Sequence, residues 1–156
     1  MLLVRDIMKT PVITIKEHAP LGEAVALMHK ACVSGLPVVD SDEYLVGLVT
    51  EYDVIQAMMP RNTDFLLTDP MEVRVDAMTS RFHEIASQPV SRIMATNVTT
   101  ISDYETIADA AGVVLVRRFK RVPVVRGGKP CGIVSRMDIL KAMLQCANGD
   151  LESRAA

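Results

Sequence analysis

The chain has 156 residues, of which 49% are hydrophobic and 23% are charged, so we expect a globular rather than a disordered protein. The net charge of −2 argues against dominant, non-specific binding to nucleic acid, which needs a large excess of Lys and Arg. No apolar run is long enough to span a bilayer, and the first residues are charged too early for a signal peptide. We therefore expect a cytoplasmic protein that binds neither nucleic acid nor membrane directly.

The elements predicted in the first part of the chain are a helical turn, a strand, an amphipathic helix, a strand pair and a closing helix. In chain order they are residues 4–8, 12–15, 21–32, 37–39 with 45–49, and 53–59. Residues 61–89 follow as an inter-repeat linker, and apolar positions within 71–85 indicate that it is partly helical. The same series of elements returns over 90–148, where the first strand is predicted at 98–101 and Thr106 and Asp109 mark the start of the second amphipathic helix.

The second series repeats the first at the level of sequence. Pro37 aligns with Pro123 at an offset of 86, and Gly47 aligns with Gly132 at an offset of 85. The offset changes within a turn, where a change in length costs little. We predict two repeats of strand, helix, strand, strand and helix in domains 1–60 and 90–148, with a flexible tail at 149–156. Because each small unit covers one face of its sheet, we expect the repeats to pack sheet to sheet with pseudo-two-fold symmetry.

Each repeat carries a hydroxyl followed three residues later by a carboxylate: Thr50 with Asp53, and Ser135 with Asp138. One interpretation is a helix N-cap box, although that box usually contains Glu or Gln, and Asp is expected to fit it less well. The other is a site in which the carboxylate accepts hydrogen bonds from the vicinal diol of a ribose. In that site the hydroxyl and the helix amides would bind a ribose or phosphate oxygen. The residues alone leave both interpretations open.

Both repeats resemble CBS (cystathionine-β-synthase) domains, and the pair resembles a stand-alone Bateman module. The resemblance rests on residues 34–40 with 47–53 in the first repeat, and on 121–125 with 132–138 in the second. It implies an α/β fold of the α+β type, with tandem domains and clefts that bind an adenosine-containing ligand such as AMP, ADP, ATP or S-adenosylmethionine. It implies no further cofactor.

The family's motif, carried over residue by residue, implies two sites. Site one contains Leu48, Thr50, Tyr52 and Asp53, facing Thr100, Phe119, Lys120, Arg121 and Val122. Site two contains Ile133, Ser135, Met137 and Asp138, facing Thr14, Val33, Ser34, Gly35 and Leu36. Because the family contacts phosphate beside the Pro, Lys120 and Arg121 predict that site one prefers a phosphorylated nucleotide. Site two offers no cation there, and we expect it to be weaker, empty or suited to a less charged ligand.

Catalysis is not expected, since no candidate nucleophile has a paired base and the three histidines share no metal-ligand spacing. Cys32, Cys131 and Cys146 are predicted to be reduced and semi-buried. The predicted function is a regulatory module that senses adenine nucleotides, pairs into a homodimer through its closing helices and acts on an unknown target protein in trans. The alternatives are a structural interaction protein with degenerate clefts and a sensor of S-adenosylmethionine.

Overall fold

The computed structural model describes residues 1–59, 75–117 and 120–149. Six α-helices and two three-stranded sheets form within these ranges, which confirms the predicted α/β class. The elements in chain order are α1 (Val4–Ile7), β1 (Ile15–Lys16), α2 (Leu21–Ala31), β2 (Gly35–Val39), β3 (Leu45–Thr50), α3 (Glu51–Met58), α4 (Val75–Ala86), a 3₁₀ turn (Val90–Arg92), β4 (Ile101–Ser102), α5 (Ile107–Arg117), β5 (Arg121–Arg126), β6 (Lys129–Ser135) and α6 (Arg136–Ala147). The predicted linker helix is confirmed by α4, while its first residues, 71–74, and the predicted tail beyond 149 lie outside the described residues.

The chain divides into two compact units. The C-terminal unit contains Met1–Ile13, Glu43–Leu45 and Thr99–Ala156, and the N-terminal unit contains Thr14–Asp42 and Val46–Val98. Each unit includes the leading turn of the other sequence repeat. Helix α1 belongs to the C-terminal unit, and the 3₁₀ turn belongs to the N-terminal unit. The compact units and the sequence repeats therefore differ in their leading segments.

The N-terminal unit is built on a sheet of order β1-β2-β3, in which β1 lies parallel to β2. The predicted strand 12–15 is wrong in extent, because the chain enters this unit only at Thr14 and pairing begins at Ile15. The sheet and α2 share an aliphatic core that includes Leu21 and Leu36, both fully buried. This core fixes the strand β3 that leads into α3.

The C-terminal unit repeats this plan with a sheet of order β4-β5-β6. Strand β4 is parallel to β5, and β5 is antiparallel to β6. As in the first repeat, pairing of the predicted strand 98–101 begins only at its last residue, Ile101. Val4 of α1 is fully buried in the core of this unit, together with Val124 and Val134. The core holds β6 in place, and β6 leads into α6 as β3 leads into α3.

Thr106 and Asp109 confirm the predicted start of α5. The Asp109 Oδ2 accepts hydrogen bonds from the Thr106 backbone N–H (3.0 Å) and hydroxyl (2.6 Å). The Thr106 Oγ1 in turn accepts one from the Asp109 backbone N–H (3.2 Å). The hydrogen bond from the Thr106 hydroxyl lowers the pKa of Asp109 most, and the bond from the Thr106 backbone N–H lowers it further, because both stabilise the charged form of the carboxylate.

Thr106→Ala should destabilise the protein at neutral pH, and the penalty should shrink in acid. The Asp109 pKa is lowered by folding, so its contribution is present above the unfolded pKa and is lost as the pH falls through the folded pKa. Once Asp109 is protonated, the hydroxyl of Thr106 has little charge left to stabilise. Denaturant unfolding of both proteins from neutral to acid pH measures the difference, and a penalty that does not change with pH would contradict this account.

The cysteines are all free, as predicted, but their burial differs from the prediction. Cys131 on β6 is half-buried, and burial raises the pKa of its thiol. Cys32 and Cys146 are exposed, so the prediction of semi-burial is wrong for them. Cys32 follows the last residue of α2, and Cys146 lies in the last turn of α6.

Candidate functional site

Thr50 and Asp53 form a closed N-cap box at the start of α3. The Thr50 Oγ1 accepts a hydrogen bond from the Asp53 backbone N–H (3.4 Å). The Asp53 Oδ2 accepts bonds from the Thr50 backbone N–H (2.8 Å) and hydroxyl (2.7 Å). Both of these bonds use the same carboxylate oxygen, and within the described ranges no hydrogen bond or ion pair is made by Oδ1. The box thus orients the carboxylate and leaves its second oxygen for other partners.

Ser135 and Asp138 form the same box at the start of α6. The Asp138 Oδ2 accepts bonds from the Ser135 backbone N–H (2.8 Å) and hydroxyl (2.5 Å), and the Ser135 Oγ accepts one from the Asp138 backbone N–H (3.2 Å). The expectation that Asp fits an N-cap box less well is therefore wrong. Its short side chain reaches the N-cap amide in both repeats, since the helical turn brings the two residues together.

The box at Thr106 and Asp109 has the same bonds as the two motif boxes but lies outside the predicted sites. Capping alone is therefore a sufficient reason for this geometry. Burial separates the motif boxes from it: Asp138 is 6% exposed and Asp53 is half-buried, whereas Asp109 is exposed. The two interpretations of the motif are compatible, because a cap that uses one oxygen also orients the other.

The residues before each Pro lie beside the cap of their own repeat. In the N-terminal unit, the Ser34 carbonyl accepts a hydrogen bond from the Glu51 backbone N–H (2.9 Å). Gly35 lies so close to Thr50 that a β-carbon at Gly35 would be 3.1 Å from the Thr50 Cγ2. The backbone before the Pro therefore forms one wall around the first turn of α3.

The same arrangement in the C-terminal unit places the backbones of two basic residues beside the second cap. The Lys120 carbonyl accepts a hydrogen bond from the Arg136 backbone N–H (3.3 Å), and Arg121 pairs with Ser135 across β5 and β6. The side chains of Lys120 and Arg121 are exposed. Within this unit the backbones of Lys120 and Arg121 thus lie beside the cap that holds Asp138, and the predicted role of their side chains toward Asp53 stays a prediction.

The other predicted site residues differ widely in exposure. Leu36 and Val122 are buried in the two cores. Tyr52 and Met137 are 69% and 56% exposed, each in the first turn of its helix. Five of these predicted site residues lie in or beside the strands and are half-buried: Thr14, Val33, Leu48, Thr100 and Ile133. Phe119 lies outside the described residues.

Lys9 is a neighbour of the second cap that the sequence analysis missed. Two backbone hydrogen bonds join it to Ile133, with N···O distances of 2.8 and 3.1 Å, and its Nζ lies 3.7 Å from the Asp138 Oδ1. In the N-terminal unit, Ala95 makes the equivalent pair of backbone bonds to Leu48, at 2.9 Å each. The repeat alignment at an offset of 86 pairs Lys9 with Ala95. The replacement of a cation by a methyl group at this position is the sequence difference that could have identified Lys9.

An apolar cavity of about 480 Å³ also opens in the N-terminal unit, between α2, α3 and α4. Met28, Val54 and Phe82 contribute to its walls. Of the predicted site residues, only Val33 lines it. Glu51, the first residue of α3, also lines the cavity, so the cavity lies beside the first turn of α3, and Asp53 does not contribute to its walls.

Two units that share one sequence pattern, a three-stranded sheet and a capped closing helix define a tandem α/β repeat protein. The sequence profile of the CBS domain matches residues 4–60 and 90–145. The chain belongs to the CBS domain family. Within the ranges that the structure describes, no helix combines the length and apolarity needed to cross a bilayer.

Similar proteins include both short and much longer chains. The uncharacterized protein MJ1426 of Methanocaldococcus jannaschii is 28% identical over 155 residues, covering 92% of each chain. MJ1404 of the same organism is 34% identical over 94% of this chain, which spans only 33% of that relative's length. The crystal structure of CBSX2 in complex with AMP matches this fold with a TM-score of 0.72. The two sequences are 27% identical, and the match covers 94% of this chain and 99% of the CBSX2 chain. CBSX2 comes from Arabidopsis thaliana.

Proposed function

We propose that this protein is a non-catalytic regulatory module that binds an adenosine-containing ligand, with Asp53 and Asp138 accepting hydrogen bonds from the ribose. The observation that carries this proposal is the pair of capped carboxylates, which present the same polar group at the start of α3 and of α6. The similarity to CBSX2, which has been crystallised with AMP, supports adenine nucleotides as the ligand class.

The chemistry of the caps suits a vicinal diol. Each carboxylate uses Oδ2 for the cap, and a carboxylate can accept about four hydrogen bonds through its two oxygens. The Oδ1 atoms can therefore accept from ribose hydroxyls while the caps stay closed. Because the cap orients each carboxylate before the ligand arrives, little side-chain freedom is lost on binding. The amides at the starts of α3 and α6 also favour a negatively charged phosphate nearby.

AMP is the ligand that we place first, with ADP, ATP and S-adenosylmethionine as relatives that share the ribose and differ in charge at the 5′ position. We further propose a cytoplasmic homodimer that acts on a target protein in trans. Its contact surface is the exposed apolar face of α6, which carries Leu140, Met143 and Leu144. Native mass spectrometry of the purified protein measures the oligomeric state and the mass of any co-purified ligand, and a monomer at micromolar concentration would exclude the dimer.

Thermal unfolding with millimolar adenosine ligands tests the proposed function. Ligand at about 100 times its Kd adds about 2.7 kcal/mol to the free energy of unfolding, and a protein of this size gains roughly 2–4 °C per kcal/mol. We expect a rise of several degrees with AMP and a smaller rise with 2′-deoxy-AMP, which lacks half of the diol. If no adenosine ligand raises the Tm, the structural interaction protein becomes the better account.

A further inference from the structure

The two capped carboxylates differ in one neighbouring residue, although the backbone around them is the same. Lys9 and Ala95 occupy equivalent positions, each joined by two backbone hydrogen bonds to the strand that precedes a cap. Lys9 brings an ammonium group to 3.7 Å from the Asp138 Oδ1. Ala95 brings only a methyl group to the corresponding place beside Leu48, so at this position Asp53 has a methyl group where Asp138 has a cation.

The ion pair is made to the oxygen that a ribose would need. The Asp138 Oδ2 is already used by the cap, so with Lys9 at Oδ1 both oxygens of this buried carboxylate are engaged. A ribose diol at Oδ1 must share this oxygen with the ammonium or displace it. A carboxylate that is 6% exposed loses much when a positive partner leaves, because little water is present to replace it.

Lys9 itself can move. Its side chain is 67% exposed, and a lysine is a flexible point charge that can follow an anion over several ångströms. A ligand with a 5′-phosphate gives the displaced ammonium a new anionic partner, whereas a neutral nucleoside gives it none. The displacement is therefore compensated only for phosphorylated ligands.

We propose that Lys9 makes the Asp138 site selective for 5′-phosphorylated adenosine ligands over the neutral nucleoside, and that the Asp53 site lacks this selection; the inference rests on the proposed function. It reverses the ranking predicted from the sequence, in which the Asp53 site prefers phosphate. The reason is that Lys9 pairs with the Asp138 Oδ1 within the C-terminal unit.

Isothermal titration with AMP and with adenosine tests this proposal in an Asp53→Asn background, which silences the other carboxylate. We expect Lys9→Ala to weaken AMP binding about tenfold, in the range of a single charge contact, and to leave adenosine binding unchanged or tighter. Lys9→Ala leaves both cap bonds of Asp138 in place, and the Tm and circular dichroism of the variant without ligand check that it remains folded. The mirror variant, Ala95→Lys in an Asp138→Asn background, should raise the preference of the Asp53 site for AMP.

The outcomes separate the two proposals. If the wild-type protein binds neither AMP nor adenosine, the proposed function fails and the role of Lys9 fails with it. If the wild-type protein binds AMP but the Asp53→Asn protein does not, or if Lys9→Ala changes the affinities for AMP and adenosine by the same factor, only the role of Lys9 is overturned. A selective loss of AMP affinity, rescued by Lys9→Arg, supports it.

Discussion

Leu36→Ala should lower the free energy of unfolding by about 2–5 kcal/mol, as large-to-small substitutions in tightly packed cores do. The Leu36 side chain is fully buried between the sheet and the helices of the N-terminal unit, in a cluster that includes Leu21 and Val49. The substitution would leave a cavity that the β-branched neighbours fill poorly. Although Leu36 is one of the predicted ligand-binding residues, its burial predicts an effect on stability first.

Leu115→Ala on α5 is the matched control, because it removes the same atoms from a side chain that is 75% exposed and lies outside the proposed dimer surface. Equilibrium denaturation of both variants measures the difference. We expect Leu115→Ala to change the free energy of unfolding by less than about 0.5 kcal/mol. Equal losses in the two variants would contradict the placement of Leu36 in the core.

The double variant Asp53→Asn with Asp138→Asn should lose the thermal stabilisation by AMP almost completely while it remains folded. Asparagine keeps one oxygen that can accept from the N-cap amide, so both helix caps can persist. It replaces the other oxygen by an amide NH₂, which donates where the ribose hydroxyls need an acceptor. The expected loss is the whole rise of several degrees, since that rise comes from ligand bound to the native state.

Asp109→Asn is the control for this double variant, since Asp109 has the same cap bonds at a helix outside the predicted sites. It should keep the full response to AMP. The Tm of each protein with and without AMP provides the comparison. A double variant that still responds like the wild type would show that the ribose is held elsewhere.

The order of elements and the positions of the caps could be predicted from the sequence because both depend on neighbours along the chain. Hydrophobic periodicity identifies a helix, and a hydroxyl with a carboxylate three residues later identifies its start. The starts of β1 and β4 could not be predicted in this way. Residues 12–14 are as suitable for a strand as Ile15, but the chain passes from one unit to the other between Ile13 and Thr14.

The unit that each leading turn joins could not be predicted either. Met8 and Met94 occupy equivalent positions in the repeats, and each packs on a strand glycine, Gly132 for Met8 and Gly47 for Met94. A β-carbon at Gly132 would lie 2.5 Å from the Met8 Sδ, so the absence of a side chain there permits the contact. Because both strands offer a glycine, the sequence pattern fits either pairing.

The candidate site was predictable in its carboxylates but not in their surroundings. In each cap the hydroxyl and the carboxylate are three residues apart, as in Thr50 with Asp53 and Ser135 with Asp138. Their hydrogen bonds therefore follow from one helical turn. Lys9 is far from Asp138 along the chain and reaches it only because the leading turn of the first repeat joins the C-terminal unit. The difference between the two carboxylates is therefore a property of the fold.

A crystal structure grown with saturating AMP tests the central claim most directly. We predict that the ribose hydroxyls lie within hydrogen-bond distance of the Oδ1 of Asp53 or Asp138, with both caps closed. AMP bound only in the cavity between α2, α3 and α4, or bound at neither carboxylate, would contradict the account.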